Sequence, residues 1–256
     1  MIVIDSGLGG IAVARALRTL APNLPFAYLA DTAGFPYGSR SREDINARAA
    51  QLIRSLEAVM PLSTIVLACN TLSTLCLAEL RVQFPYQFVG TVPAIKVAGR
   101  VSITRRFTLL ATPNTVASSY SQNLIDAFAH DCVVDRYGAP MLAHCAERAL
   151  LGETIDPSLW QHELAPAFHD DTRGRTDAVV LGCTHYPLVL EQLINAAPWD
   201  VQWIDSSEAI ARHALSQPHD RVDAAAYVTA ASDIALYQPL FAREGFTTTK
   251  ALAVTD

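Results

Sequence analysis

Ile65-Val66-Leu67-Ala68-Cys69-Asn70-Thr71 and Val179-Val180-Leu181-Gly182-Cys183-Thr184-His185 are two short, continuous apolar runs that each end in a thiol. Unbroken runs of this kind belong to interior strands of a parallel sheet rather than to half-exposed strands. The residues after Thr71 and after Pro187 are patterned as helix, so each cysteine is expected where a strand ends and a helix begins. That edge of an open α/β sheet is where ligands bind. A helix N-terminus also favours an anion, which predicts thiol pKa values lowered toward neutrality. Matched thiols from two halves of one chain point to an acid and a base facing each other across a substrate.

The same alternation runs along the rest of the chain. Strands are expected at Ile2 to Ile4, Phe26 to Ala30, Ile65 to Ala68, Phe88 to Thr91, Phe107 to Ala111, Val179 to Gly182 and Val201 to Ile204. Helices are expected at Ile11 to Leu20, Glu43 to Val59, Leu72 to Gln83, Ser118 to Ala129, Met141 to Leu151 and Leu188 to Ala196. This order predicts an α/β fold of two similar domains, each a mostly parallel sheet flanked by helices, with the site in the cleft between them. The likeness of the two cysteine segments, and of Ile4-Asp5-Ser6 to Ile204-Asp205-Ser206, suggests an internal repeat. Residues 1–92 with 207–256 are expected to form the first domain and residues 93–206 the second, with the boundary at Val92-Pro93. The tail from Thr247 to Asp256 carries no pattern of its own.

Composition narrows the function classes. A chain of 256 residues, 51% hydrophobic, can bury one large core or two modest ones. A net charge of −6, with basic pairs only at Arg40/Arg42 and Arg105/Arg106, argues against a nucleic-acid partner. Five cysteines without a CxxC pair argue against a disulfide framework or a zinc ribbon and fit a reducing cytoplasm. Ile2-Val3-Ile4 before Asp5 is far short of a signal-peptide core, and no apolar run is long enough to span a bilayer. A cytoplasmic protein with no membrane partner is expected.

Asp5-Ser6-Gly7-Leu8-Gly9-Gly10-Ile11-Ala12 follows a strand and opens a helix. Gly7, Gly9 and Ala12 satisfy the looser dinucleotide fingerprint, and Asp31 lies where a ribose-binding acid belongs. A nicotinamide-dependent oxidoreductase is therefore one reading. Against it, the charge of Asp5 would disfavour a pyrophosphate on the helix N-terminus. A second reading is a tight turn that merely needs glycine. A third has the loop holding Asp5 and Ser6 at the floor of the cleft beside Cys69.

Five segments occur in order over nearly the whole chain: Asp5 to Gly10, Asp31-Thr32-Ala33-Gly34-Phe35-Pro36-Tyr37-Gly38, Ala68 to Thr71, Val92-Pro93-Ala94-Ile95-Lys96, and Gly182-Cys183-Thr184-His185-Tyr186-Pro187-Leu188. Together they resemble the cofactor-independent glutamate racemases of the aspartate/glutamate racemase superfamily. The chain departs from that pattern at Ala139, where cysteine is common, at Leu72, where alanine is common, and at His144 and Cys145 in a helix that is usually more aliphatic. These changes leave both thiols intact and bear on the packing beside Glu147.

The chemistry fits the residues. An amino acid's α-proton is very weakly acidic, and inverting the centre requires removal on one face and delivery on the other. A cysteine can serve either role near neutral pH. The resemblance assigns the proton of the D-enantiomer to Cys69 and that of the L-enantiomer to Cys183. It also implies that Asp5 tunes Cys69 and that Glu147 tunes His185 and Cys183. Asp5, Ser6, Asn70, Thr71, Thr115, Thr184 and His185 would hold the substrate, with Pro36, Tyr37 and Gly38 as a further wall. The family uses no cofactor, and no cluster here has metal-ligand spacing. The implied partner is a small molecule, glutamate, racemised to supply peptidoglycan, and a homodimer is left open.

Plainer readings stand beside these. A cysteine is commonly a small buried hydrophobe, which is retained for Cys76, Cys132 and Cys145. Glu147 on a helix would by default be solvated, and Thr115 serves equally well as a helix cap. Aspartate competes as substrate, since one methylene is worth about 1–3 kcal/mol of discrimination. A non-catalytic binding protein and a cysteine–histidine hydrolase complete the alternatives.

Overall fold

The computed structural model describes residues 1–254. Its strands are β1 (Ile2–Asp5), β2 (Ala27–Ala30), β3 (Thr64–Leu67), β4 (Gln87–Gly90), β5 (Arg106–Ala111), β6 (Val133–Gly138), β7 (Asp170–Asp171), β8 (Gly174–Arg175), β9 (Ala178–Gly182), β10 (Gln202–Ile204), β11 (Ala225–Val228) and β12 (Thr248–Ala251). One sheet runs β12-β11-β2-β1-β3-β4 and a second runs β10-β9-β5-β6. Every pair within them is parallel. β7 and β8 form a small antiparallel hairpin. Each sheet with its helices makes one lobe of an α/β protein.

Both faces of each sheet are covered, which explains the unbroken apolar runs. In the first lobe Ile2, Ile4, Ile65 and Leu67 pack on Ile45, Leu52, Leu72 and Leu80. On the opposite face Val3, Tyr28 and Val66 pack on Ile11, Leu17 and Phe241. Ile210, Ala211 and Ala214 of the helix Ser207–Leu215 join that second cluster, so the chain returns to the first lobe after building the second. In the second lobe Leu110, Val179 and Leu181 face Leu142, Leu164 and Leu193.

The internal repeat is topological. In the first lobe β2 and β3 flank β1, and β4 lies beyond β3; in the second, β6 and β9 flank β5, and β10 lies beyond β9. Cys69 follows β3 and Cys183 follows β9, so the two thiols occupy equivalent places. Strand order reverses between β1 and β3 and between β5 and β9, where a crevice opens outside the strand ends. The Ile-Asp-Ser echo is not part of this repeat. Ile4 lies on central β1, whereas Ile204 lies on edge strand β10, and Asp205 accepts from the Ser207 amide and hydroxyl to start a helix.

Several expectations are corrected. The tail is not patternless, because Thr248–Ala251 forms β12; Thr255 and Asp256 lie outside the described residues. The helix after Pro187 begins as a 3₁₀ turn, Tyr186–Val189, and becomes α-helical only at Leu190–Ala196. Cys183 therefore lacks the α-helix N-terminus that Cys69 has at Asn70–Gln83.

After β2, the loop from Thr32 to Arg40 reaches toward the crevice and is anchored by Asp31. This fully buried carboxylate accepts from Arg48 at 2.6 and 2.9 Å, from the Tyr37 hydroxyl at 2.6 Å and from the Thr229 hydroxyl at 2.7 Å. Burial works to raise its pKa, but the donors, led by Arg48, outweigh burial and hold the group below the usual range. Its contribution to stability is thus present above the unfolded pKa and is lost as pH falls through the folded value. Asp31→Asn should lower unfolding free energy at pH 7 by about 2 kcal/mol. The gap to the parent should narrow in urea denaturation at about pH 3, below the unfolded carboxyl pKa.

Candidate active site

The strand ends surround a small cavity. Ser6 enters after β1, Phe35, Pro36, Tyr37 and Gly38 after β2, and Cys69, Asn70 and Thr71 after β3. From the second lobe come Thr112 after β5, Ala143, and Cys183, Thr184 and His185 after β9. The free space, about 20 Å³, has room for about one water molecule, so a substrate enters only if the walls part. Gly38 makes the closure possible, since a Cβ there would lie 2.9 Å from Cβ of Thr112.

Cys183 is backed by a relay. Its Sγ lies 3.8 Å from His185 Nδ1, and His185 Nε2 lies 2.7 Å from Glu147 Oε2. Burial works to lower the His185 pKa, but hydrogen bonding to Cys183 and Glu147 outweighs it and raises the pKa well above the usual value. The imidazole thus stands between the sulfur and the carboxylate, within hydrogen-bonding reach of both. The ring of Phe35 sits 5.6 Å from that of His185 and helps to shield it. Glu147 is buried rather than solvated, and it also accepts from the Leu8 amide at 2.9 Å and the Tyr237 hydroxyl at 2.8 Å.

Cys69 is the N-cap residue of the helix Asn70–Gln83 without a side-chain capping bond, and the Leu72 amide and the Ser6 hydroxyl work to lower its thiol pKa. The expected lowering of its pKa is reversed. Burial, reinforced by the charge of Asp5 and then of Cys183, pushes the thiol well up, because desolvation of the anion exceeds what one helix terminus supplies. Burial thus favours the neutral thiol at Cys69. Asp5 stands one layer behind the wall, accepting from the Gly7 amide at 2.7 Å and the Thr184 hydroxyl at 3.0 Å. Burial raises its pKa to about 6, opposed mainly by the charge of His185.

Thr115 neither caps a helix nor lines the cavity. Thr112 caps Pro113–Ala117 and Ser118 caps Ser119–Phe128. The Thr115 hydroxyl instead completes a triangle with Thr71 and Thr112 at 3.2 and 3.0 Å, the Thr71–Thr112 edge being 2.9 Å. Phe35, Thr112 and Ala143 are lining residues that sequence reasoning missed. The Thr112-Pro113 start signal after a strand could have revealed the second. The retained plain readings of Cys76 and Cys145 agree with their burial in hydrophobic cores.

The dinucleotide reading of the glycine loop fails on geometry. Its Gly7 and Leu8 amides are taken by Asp5 and Glu147. A Cβ on Gly9 would lie 2.4 Å from Thr184 Oγ1 and 2.5 Å from His185 Nδ1, so the second lobe fills the place of a pyrophosphate. Asp31, the candidate ribose acid, is already engaged by Arg48, Tyr37 and Thr229. Among the described residues no group of three or more His, Cys, Asp or Glu side chains could hold a metal ion.

Residues 11–214 match the family described as Asp/Glu/Hydantoin racemase. The chain belongs to this racemase family. A glutamate racemase of Brucella anthropi is 45% identical over 217 residues, 84% of this chain and 78% of the relative. One from Bartonella bacilliformis is 42% identical, with 84% and 80% covered. Escherichia coli glutamate racemase, solved with L-glutamate and the activator UDP-MurNAc-ala, superposes with a TM-score of 0.91 at 35% identity, over 100% of this chain and 98% of that one. The Thermus thermophilus glutamate racemase in complex with β-chloro-D-alanine gives 0.76 at 28% identity, over 99% and 96%. This member of the racemase family is accordingly an amino-acid isomerase.

The raised Asp5 pKa makes a prediction about stability. Between about pH 4 and pH 6 the native state binds the Asp5 proton more tightly than the unfolded chain does, so stability from this group falls as pH rises through that window. Asp5→Asn keeps an acceptor for the Gly7 amide. It should gain on the parent from pH 4 to pH 6 by up to about 3 kcal/mol and then level off, as read by urea unfolding. A difference that stays constant across the window would contradict this.

Proposed function

We propose that the chain is a glutamate racemase that interconverts L- and D-glutamate with Cys69 and Cys183 as its two bases. One observation carries the reading. The two thiols leave equivalent strand ends, line one cavity from opposite lobes, and each has its own proton-handling neighbours. The glutamate racemases of Brucella anthropi and Escherichia coli support glutamate as the substrate.

With L-glutamate, the Cα–H bond breaks and its proton passes to the sulfur of Cys183, leaving the electron pair on Cα in conjugation with the carboxylate. The thiol of Cys69 delivers its proton to the opposite face, giving D-glutamate, a Cys183 thiol and a Cys69 thiolate. D-glutamate takes the reverse course, and proton exchange with water resets the pair after release. His185, held by Glu147, stabilises negative charge on Cys183. The Asn70 Oδ1 atom, buried without a protein partner, suits the substrate ammonium. Ser6, Thr71, Thr184 and amides at the start of the helix Asn70–Gln83 suit its carboxylates. Neither lysine of the chain, Lys96 or Lys250, is among the lining residues, so the reading uses no lysine.

In this reading residues 1–92 with 207–256, and residues 93–206, are the two bodies that close on the substrate. The D-glutamate supplies peptidoglycan synthesis. The enzyme works in the cytoplasm, where its five free cysteines stay reduced.

Purified protein without added cofactor should racemise glutamate and exchange its α-proton with deuterium oxide. Cys69→Ser and Cys183→Ser should each abolish racemisation in both directions, because a serine hydroxyl is too weak an acid to replace the thiol. Cys69→Ser should retain elimination from an L-configured analogue bearing a leaving group, and Cys183→Ser from its D counterpart. Near-parental racemisation by Cys183→Ser would remove the two-base assignment, and exchange with aspartate alone would move the substrate.

A further inference from the structure

Glu147 is a point where the two lobes meet behind the cavity. Its helix, Leu142–Leu150, belongs to the second lobe, yet two donors on its carboxylate come from the first. The Leu8 amide reaches Oε2 at 2.9 Å and the Tyr237 hydroxyl reaches Oε1 at 2.8 Å. His185 Nε2 shares Oε2 with Leu8 at 2.7 Å. A carboxylate bound through one oxygen alone turns easily about its terminal torsion, which is broad and roughly two-fold. Tyr237 holds the other oxygen and so sets the plane of the group and the direction from which Oε2 meets His185.

Tyr237 is built to hold that position. It lies on the helix Ile234–Arg243, is 6% exposed, and packs its ring 6.0 Å from that of Phe241. Phe241 in turn lies 5.5 Å from Tyr28, whose hydroxyl donates to the Gly7 carbonyl at 2.8 Å. One aromatic cluster thus braces both the Tyr237 hydroxyl and the loop that presents the Leu8 amide. Burial and the neighbouring Glu147 push the Tyr237 pKa far up, so the phenol stays a donor.

We infer that Tyr237 is a positioning residue for proton transfer at Cys183, orienting Glu147, which orients His185 against the sulfur. The inference rests on the racemase reading above. Tyr237 itself does not line the cavity. Because its hydroxyl and the Leu8 amide lie in one lobe and Glu147 in the other, the relay has its full set of bonds only when the lobes are closed.

Enantiomers have equal free energies, so kcat/KM is the same in both directions for the parent and for every variant, and a one-sided effect is invisible there. The α-deuterium isotope effect separates the sides. With α-deuterated L-glutamate it reports removal by Cys183, and with the D form removal by Cys69. Tyr237→Phe keeps the ring and deletes the hydroxyl. It should lower kcat/KM about tenfold, the scale of one hydrogen bond to a charged group. The isotope effect should rise with L-glutamate and fall with D-glutamate, because the Cys183 step has become the slower one. Glu147→Gln should show the same asymmetry, and adding Tyr237→Phe to it should cost little more. The inference is overturned if Tyr237→Phe keeps the parental rate. It is equally overturned if the rate falls with both isotope effects unchanged, the mark of a smaller folded fraction. A parent protein that does not racemise glutamate would instead overturn the proposed function, before any variant is compared.

Discussion

The parallel pairing of β1 with β3 and of β5 with β9 is the constraint on which the whole cavity depends. Backbone hydrogen bonds put Ile4 beside Leu67 and Leu110 beside Leu181. The residues that follow therefore emerge at matched heights, Ser6 near Cys69 in one lobe and Thr112 near Cys183 in the other. A slip of one residue would turn every strand side chain to the opposite face, and with both faces packed against helices such a slip has nowhere to go. Parallel pairing also requires a crossover between neighbours. The helices that cover the sheets and the helix that Cys69 caps are thus consequences of the same requirement.

Three buried carboxylates show how surroundings give one chemical group different tasks. Asp31 faces the Arg48 guanidinium, stays ionised and anchors a loop. Asp5 has hydrogen-bond donors but no salt-bridged arginine or lysine, so burial dominates and it titrates near 6. Glu147 spends both oxygens on Leu8, Tyr237 and His185 and aims an imidazole at a thiol. The thiols differ in kind as well, Cys183 facing His185 while Cys69 stands at the start of a helix.

Legibility in the sequence followed the range of the interactions. The central strands were readable because two buried faces demand unbroken apolar residues. β6 was not, since Val133-Val134-Asp135-Arg136-Tyr137-Gly138 is a half-buried edge strand that admits charge. β11 hides in Ala225-Ala226-Tyr227-Val228, and β12 shows only Thr-Thr-Lys-Ala at an edge of the first sheet. Within the site, residues next to the two cysteines were found, and Cys69, Cys183 and His185 do share a cavity. Tyr237 could not be found, because its partner lies 90 residues away and its helix looks like any other amphipathic one. The Cys69 pKa was misjudged for the same reason. A helix start is local and visible in the sequence, whereas desolvation is set by everything that packs around the sulfur.

The chain crosses between the sheets twice, from β4 to β5 and again from β10 to β11. A body held by two tethers cannot swivel as one on a single tether can, so its motion is largely reduced to hinging. In the closing motion proposed above, the bonds between the lobes, Thr184 to Asp5, Thr71 to Thr112, Asn114 to the Tyr37 carbonyl and Leu8 to Glu147, would part and reform as a set. Each partner meets the other at the high effective concentration that short linkage provides. Reassembly of the closed cavity is then a return along one path, not a search over orientations.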